Sequence, residues 1–192
     1  MRIQLFDDGH GAVEYVSHTP SSANPNDNII TFKFTVPIFV RSQHHSERTW
    51  SYNEINTSGE CELYKTQVIR EESPPSDGEV FDPLVDPENM AGGNAASYLI
   101  MAHNNKSLML YEKLIKNRVC REQARTVLPR STYVRYYGTT NLKNLVSFVT
   151  RAMRDPVRPE LQLVAQACLR LTESFYPELM RSYLNSMSVK NG

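Results

Sequence analysis

The stretch Ile30-Thr31-Phe32-Lys33-Phe34-Thr35-Val36-Pro37 decides the fold class. Apolar and polar side chains alternate at period two from Ile30 to Val36, the pattern of a strand with one buried face. Pro37 ends it. Because proline lacks the N–H that a first helical turn leaves unpaired anyway, Pro37 also suits the start of a helix, expected over 37–47 and leading into a polar stretch from Gln43 to Glu54.

Upstream, Arg2 to Phe6 and Ala12 to Val16 read as short strands separated by Asp8-Gly9-His10-Gly11, a turn composition. His18 to Asn28, rich in Ser, Asn and Pro, reads as loop. Downstream, residues 60–93 carry Pro74, Pro75, Gly78, Pro83 and Pro87 among many acids. This is a long irregular excursion, expected to lie over a site or to extend an oligomer contact. Beyond it the chain turns helical. Apolar spacing predicts one long or broken helix over Ala95 to Lys116, a short one over Arg121 to Leu128 stopped by Pro129, and a third over Leu142 to Met153. The clearest runs from Glu160 to Tyr176, with Leu161, Val164, Ala165, Cys168, Leu171, Thr172 and Phe175 along one stripe. Strands first and helices later argue for a single α+β domain rather than a parallel doubly wound sheet.

Composition narrows the class further. Lys and Arg number 21 and Asp and Glu 21, so no charge excess marks a polyanion binder, and no nucleic-acid polymer is expected as partner. Hydrophobic residues make up 40%, which argues against a wholly disordered chain. No apolar run reaches the roughly 18–20 residues that span a bilayer. MRIQLFDDGHG holds no apolar signal core, so the expectation is an intracellular protein without a membrane partner. Cys61, Cys120 and Cys168 are too widely spaced for zinc, and their odd number argues against a disulfide framework. Inert buried cysteine is the ordinary reading of each, with a catalytic thiol as the alternative.

Three stretches could carry chemistry. In Gln43-His44-His45-Ser46-Glu47-Arg48-Thr49-Trp50-Ser51-Tyr52-Asn53-Glu54, adjacent histidines point in different directions on helix or strand, so no metal site is expected there. A solvated polar segment is the plain alternative, although the stretch encloses the only Trp. In Arg121-Glu122-Gln123-Ala124-Arg125-Thr126-Val127-Leu128-Pro129, Glu122 and Arg125 share a helical face, as do Arg121 and Arg125. That is a surface ion pair, or an Arg clamp for a carbonyl or phosphate. Asn141, Asn144, Ser147, Arg151 and Arg154 lay a polar stripe on one helix, either solvated or, with two Arg and no acid, suited to an anion. No GxGxxG, GxxxxGK[ST] or GxSxG motif occurs.

Taken in order, these stretches resemble the flavin-dependent thymidylate synthases (ThyX) over roughly residues 29–184. Val36-Pro37-Ile38-Phe39-Val40-Arg41-Ser42-Gln43 is similar to the family's Ala-Pro-Ile-Phe-Val-Ala-Arg-Gln. Arg121 to Pro129 matches Arg-Glu-x-Ala-Arg-x-Val-Leu-Pro almost residue for residue. Thr140-Asn141-Leu142-Lys143-Asn144-Leu145 resembles Val-Asn-Ala-Arg-Ser-Leu, and Arg158-Pro159-Glu160-Leu161 resembles Gln-Pro-Glu-Ile. The chain departs where the hallmark Arg-His-Arg reads Ser46-Glu47-Arg48, and where Ser-x-Asn-Glu-x-Ser-Gly-Arg reads Ser51-Tyr52-Asn53-Glu54-Ile55-Asn56. Ser58, or Glu60 in the alternative register through Ser58-Gly59, takes the place of a phosphate-gripping Arg.

The resemblance implies an antiparallel sheet with a C-terminal helical half, assembled as a homotetramer. It implies FAD, NADPH and 5,10-methylenetetrahydrofolate acting on a pyrimidine nucleotide, dUMP giving dTMP, in the cytoplasm of a bacterial or phage-infected cell. It assigns the nucleotide to Gln43, Ser46, Glu54, Asn56, Ser58, Gly59 and Arg125. FAD falls to Ser46, Glu47, Arg48, Thr49, Glu54, Asn141 and Ser147. The base-activating Arg falls in register at Ala152, which makes neighbouring Arg151 the candidate catalytic group if the helix shifts. The departures leave open a dUMP hydroxymethylase, a UMP C5-methylase, or an inactive binding module of the same fold.

Overall fold

A computed structural model describes residues 1–55, 63, 94–154, 158–178 and 180–181, with the side chains of 94–98 not described. The chain divides into two compact units, Met1–Glu62 with Thr132–Gly192, and Leu63–Ser131.

The first unit is built on an antiparallel five-stranded sheet whose neighbours run, in order, β1 (Arg2–Gln4), β2 (Ala12–Thr19), β3 (Ile29–Pro37), β5 (Tyr133–Asn141) and β4 (Ser51–Ile55). β1 (Arg2–Gln4) and β2 (Ala12–Thr19) form a hairpin whose turn holds Gly9 at φ 82°, a left-handed conformation that glycine adopts without a Cβ clash. β3 (Ile29–Pro37) is the central strand, and Ile30, Phe32, Phe34 and Val36 are all fully buried, as the alternation predicts. α1 (Ile38–His44) follows directly, with Pro37 as its N-cap rather than its first residue. The helix is shorter than the expected 37–47 because the chain turns back after His44.

Two strands lie where no strand was expected. β4 (Ser51–Ile55) forms the sheet edge, and β5 (Tyr133–Asn141) lies between β3 and β4. Strands therefore do not simply precede helices, although the α+β class stands. Gly138 of β5 is required by packing: a Cβ there would come within 2.8 Å of the Phe34 ring and 3.2 Å of Trp50.

In the same unit, α4 (Leu142–Arg154) and α5 (Pro159–Glu173) pack on each other, and α5 reaches β1 and β2. α4 buries Leu142, Leu145, Val146, Phe148, Val149 and Ala152 while exposing Ser147, Arg151 and Arg154, the one-sided pattern expected of an amphipathic helix. Cys168 sits fully buried on α5, and burial pushes its thiol far up, consistent with an inert core cysteine.

The second unit holds α2 (Asn94–Lys116), α3 (Arg121–Ala124) and a 3₁₀ turn at Arg125–Val127. The helix expected over Arg121 to Leu128 is thus a single α-turn that tightens at Arg125. The Leu128 N–H donates to the Arg125 carbonyl at 3.1 Å, and Thr126 Oγ1 donates to the Gln123 carbonyl at 2.6 Å. Cys120 is exposed, and its Sγ donates to Glu122 Oε2 at 2.9 Å. That bond, then the backbone N–H, and more weakly Arg125 and Arg121, hold the Glu122 carboxyl below its ordinary value. Cys61 and the excursion over 60–93 lie outside the described residues, apart from Leu63. Among the described residues no helix is long and apolar enough to cross a membrane.

Candidate functional site: an aromatic hub and a charged rim

After α1 the chain makes a compact turn. The Ser46 hydroxyl donates to the Gln43 carbonyl at 2.6 Å, the Glu47 N–H to His44 O at 3.0 Å, and the Trp50 N–H to Glu47 O at 3.3 Å. This turn returns Trp50 onto the buried face of β3, where its ring meets Phe34 edge-on at 5.9 Å. At the centre sits His44, fully buried, with ring centroids 4.7 Å from Trp50, 4.8 Å from Phe34 and 4.9 Å from Phe148. Its Nδ1 shares a 2.9 Å hydrogen bond with the Tyr136 hydroxyl. Removing an imidazolium from water is costly, and His45 adds repulsion, so the His44 pKa is lowered from 6.5 to about 3. His44 is therefore a neutral core residue. Tyr52 closes the hub: its hydroxyl donates to the His44 carbonyl at 2.6 Å and approaches the Glu47 carbonyl at 3.3 Å. Burial first, then Glu47, pushes its ionisation well above the ordinary phenol range.

The rim grows from the same residues. His45 stacks on Tyr52 with centroids 4.0 Å apart and planes 20° from parallel. Burial and the nearby Arg41 lower its pKa, opposed by Glu54. Arg41 Nη1 pairs with Glu54 Oε1, joining α1 to β4. Gln43 Oε1 and His45 Nε2 at the rim, like His44 Nε2 and Trp50 Nε1 in the hub, are screened from solvent with no hydrogen-bond partner among the described residues. Leaving such a group unmade costs about 1–3 kcal/mol, and in native proteins that calls for an explanation such as a ligand.

A second ion pair spans the sequence. Arg151 Nη2 pairs with Glu47 Oε2, and Arg151 Nη1 donates to Ser147 Oγ at 2.8 Å. Arg151 is about half exposed, so the pair adds little to stability, about 0–1 kcal/mol. Ala152, where the resemblance expects the base-activating Arg, is 4% exposed and faces the core, whereas Arg151 looks outward.

The first unit holds Gln43, Ser46, Glu47, Arg48, Thr49, Glu54, Ser147 and Arg151, and joins two groups of them by side-chain contacts: Glu54 with Arg41, and Glu47 with Arg151 and Ser147. Thr49 accepts from Thr140 Oγ1 at 3.1 Å through its carbonyl, and Asn141 Oδ1 caps α4 by accepting the Asn144 N–H at 2.8 Å. Arg48 is exposed. Arg125 belongs to the second unit, and Asn56, Ser58 and Gly59 lie outside the described residues. Sequence reasoning passed over His45, Tyr52 and Tyr136 as site builders. The signal available was aromatic: Tyr133, Tyr136 and Tyr137 stand in a run rich in β-formers, and Tyr52 follows the lone Trp.

Fold and site together define an α+β protein with helices on an antiparallel sheet and a polar, charged rim beside a buried aromatic core. Residues 26–178 match the family model described as thymidylate synthase complementing protein, Thy1. The chain belongs to that family, the flavin-dependent thymidylate synthases. It is 30% identical over 159 residues to the flavin-dependent thymidylate synthase of Thermosipho melanesiensis, covering 81% of this chain and 68% of the relative. With the Kosmotoga olearia enzyme of the same name it shares 31% over 167 residues, covering 84% and 70%. Among solved structures it resembles a UMP/dUMP methylase, PolB from Streptomyces cacaoi, bound with 5-Br UMP. There the TM-score is 0.70 at 21% identity, covering 90% of this chain and 93% of that one. The same protein bound with 5-Br dUMP gives a TM-score of 0.69 at 20% identity, covering 90% and 94%.

Proposed function

We propose that this chain transfers a one-carbon group from 5,10-methylenetetrahydrofolate to C5 of a pyrimidine nucleotide, dUMP giving dTMP, with FAD and NADPH. The observation that carries the reading is Gln43 Oε1, which has no hydrogen-bond partner among the described residues, on the helix that also supplies Arg41 of the Arg41–Glu54 pair. A screened amide acceptor with no partner suits a ligand N–H such as the imide of uracil. By the family pattern, Gln43 would orient the base, Ser46, Glu54, Asn56, Ser58 and Gly59 are further nucleotide-binding candidates, and Arg125 is the candidate cation for the nucleotide. Arg151 would hold charge that develops on the base.

The residues also fit a flavin. The acid that replaces the triplet's His does not stand bare, because Arg151 neutralises Glu47 within the fold. Ser46, Glu47, Arg48, Thr49, Glu54, Asn141 and Ser147 would then line its site, as the family pattern implies. When bound, FAD would supply the redox chemistry, relaying reducing equivalents from NADPH. The protein's own task is to hold the two rings, exclude water and stabilise charge. A single-domain chain, a homotetramer and a cytoplasmic setting belong to the same proposal.

A second reading is a C5-methylase accepting UMP, or a dUMP hydroxymethylase. It is favoured by Ser58, or Glu60, standing where the family has a phosphate-gripping Arg. The test is incubation of the purified protein with FAD, NADPH, methylenetetrahydrofolate and either dUMP or UMP, with products read by mass spectrometry. dTMP is the expected product. A hydroxymethylated or ribo product selects the second reading, and neither product, with no flavin retained, points to the inactive module.

A further inference from the structure

Two departures from the family pattern meet in space. Glu47 stands where the hallmark triplet has His, and Arg151 stands one residue before the register of the family's Arg. They are 104 residues apart and form an ion pair, Arg151 Nη2 to Glu47 Oε2. Ser147, one helical turn before Arg151 on α4, accepts from Nη1 at 2.8 Å. Both ends of this clamp are fixed. The Glu47 N–H donates to His44 O, and its carbonyl accepts from the Trp50 N–H and lies 3.3 Å from the Tyr52 hydroxyl, so its backbone is tied to the aromatic hub. Its side chain is 18% exposed while that of Arg151 is 52% exposed, which sinks the carboxylate and leaves the guanidinium facing outward. On the other side, buried Phe148, Val149 and Ala152 set the rotation of α4.

Resting on the proposed nucleotide reaction, we infer that Glu47 and Ser147 are positioning residues for Arg151. They hold one edge of the guanidinium so that its remaining N–H donors are aimed at an oxygen of the pyrimidine on which charge builds up during turnover. A guanidinium has more donors than these two partners use, in a rigid plane, so fixing one edge fixes the direction of the others. The chain thereby carries the cation one residue out of register and corrects its direction with an acid from another element. Glu47 acts on substrate only through Arg151.

A double-mutant cycle separates this from a merely structural ion pair. We compare wild type, Glu47→Gln, Arg151→Ala and the double variant by steady-state kinetics with dUMP, by calorimetric dUMP affinity in the absence of flavin, and by melting temperature. Glu47→Gln is expected to lower kcat roughly ten- to a hundredfold, the scale of a misplaced catalytic group. The dUMP affinity and KM should stay within about twofold, because ground-state binding is untouched. Glu47→Asp should restore part of the loss, and Glu47→Gln should add nothing in the Arg151→Ala background. Ser147→Ala, at an exposed position, should lower kcat in the same sense by a smaller factor, and it keeps the test open if Glu47→Gln melts early. Additive losses, a change in KM alone, or unchanged kcat in both Glu47→Gln and Ser147→Ala would overturn the clamp while leaving the proposed reaction standing. A wild-type protein that binds no dUMP and forms no C5-substituted product overturns the reaction itself, and the clamp with it.

Discussion

His44 and His45 are neighbours in sequence and opposites in the fold. His44 is sealed among Phe34, Trp50, Tyr52, Tyr136 and Phe148, whereas His45 lies at the rim, stacked on Tyr52 beside the Arg41–Glu54 pair. The same division runs through the whole turn from Gln43 to Glu54. His44, Trp50 and Tyr52 face inward and hold the turn to the sheet. Gln43, Glu47, Arg48 and Glu54 supply polar and charged side chains to the rim, Glu47 and Glu54 in ion pairs. The hub is where apolar burial is concentrated, and the rim is where the proposed function places the chemistry. A site built this way can change rim residues, as at Ser46 and Glu47, without losing the turn that presents them.

The comparison predicts large stability effects in the hub and small ones at the rim. The largest is acid sensitivity. The folded hub keeps His44 neutral down to about pH 3, while in the unfolded chain it takes up a proton near 6.5. Between those values the unfolded state binds more protons. Stability from this group is therefore complete above pH 6.5 and lost as pH falls toward 3. At about 1.4 kcal/mol per pH unit, the ceiling on this loss is roughly 5 kcal/mol. Denaturant unfolding across that window should show the slope in wild type and a shallower one in His44→Phe; equal slopes would break the assignment of a buried neutral His44.

Next comes Phe34→Ala, which removes the ring that stacks on Tyr136 at 5.0 Å and touches His44. It should cost about 3–5 kcal/mol by urea unfolding, as aromatic truncations in cores do. Tyr52→Phe deletes the 2.6 Å bond to the His44 carbonyl and should cost about 1 kcal/mol. Arg41→Ala should move stability by no more than about 1 kcal/mol, because Glu54 is largely exposed. An Arg41 effect as large as that of Phe34 would erase the distinction between hub and rim.

Much of the scaffold is legible in the chain, and the reasons for the gaps are physical. Ile30 to Val36 alternates because one face of β3 is buried, and the stripe from Leu161 to Leu171 is the buried side of α5. β5 escapes because Tyr and Thr are ambiguous in a polar-apolar reading and because Gly138 looks like a strand breaker. Its real role, letting the Phe34 and Trp50 rings pass, depends on partners far away in sequence. β4 is an edge strand of mostly polar residues, and its identity comes from pairing with β5, not from its own pattern. No local rule separates His44 from His45, and none pairs Glu47 with Arg151 across 104 residues. Of the described site residues drawn from the family resemblance, all but Arg125 lie in the first unit. The bonds of Asn141 to Asn144 and of Ser147 to Arg151 are local helix contacts at spacings of three and four, whereas the Glu47 pair is not local.

The central claim is that the rim, through Gln43, receives a pyrimidine nucleotide. Calorimetric titration of the purified full chain and of Gln43→Ala with dUMP tests it most directly. Saturable binding in wild type, weakened at least about tenfold (roughly 1.4 kcal/mol) in Gln43→Ala with the melting temperature unchanged, is the predicted result. Equal affinity in the two proteins, or no binding by the wild type, would contradict it.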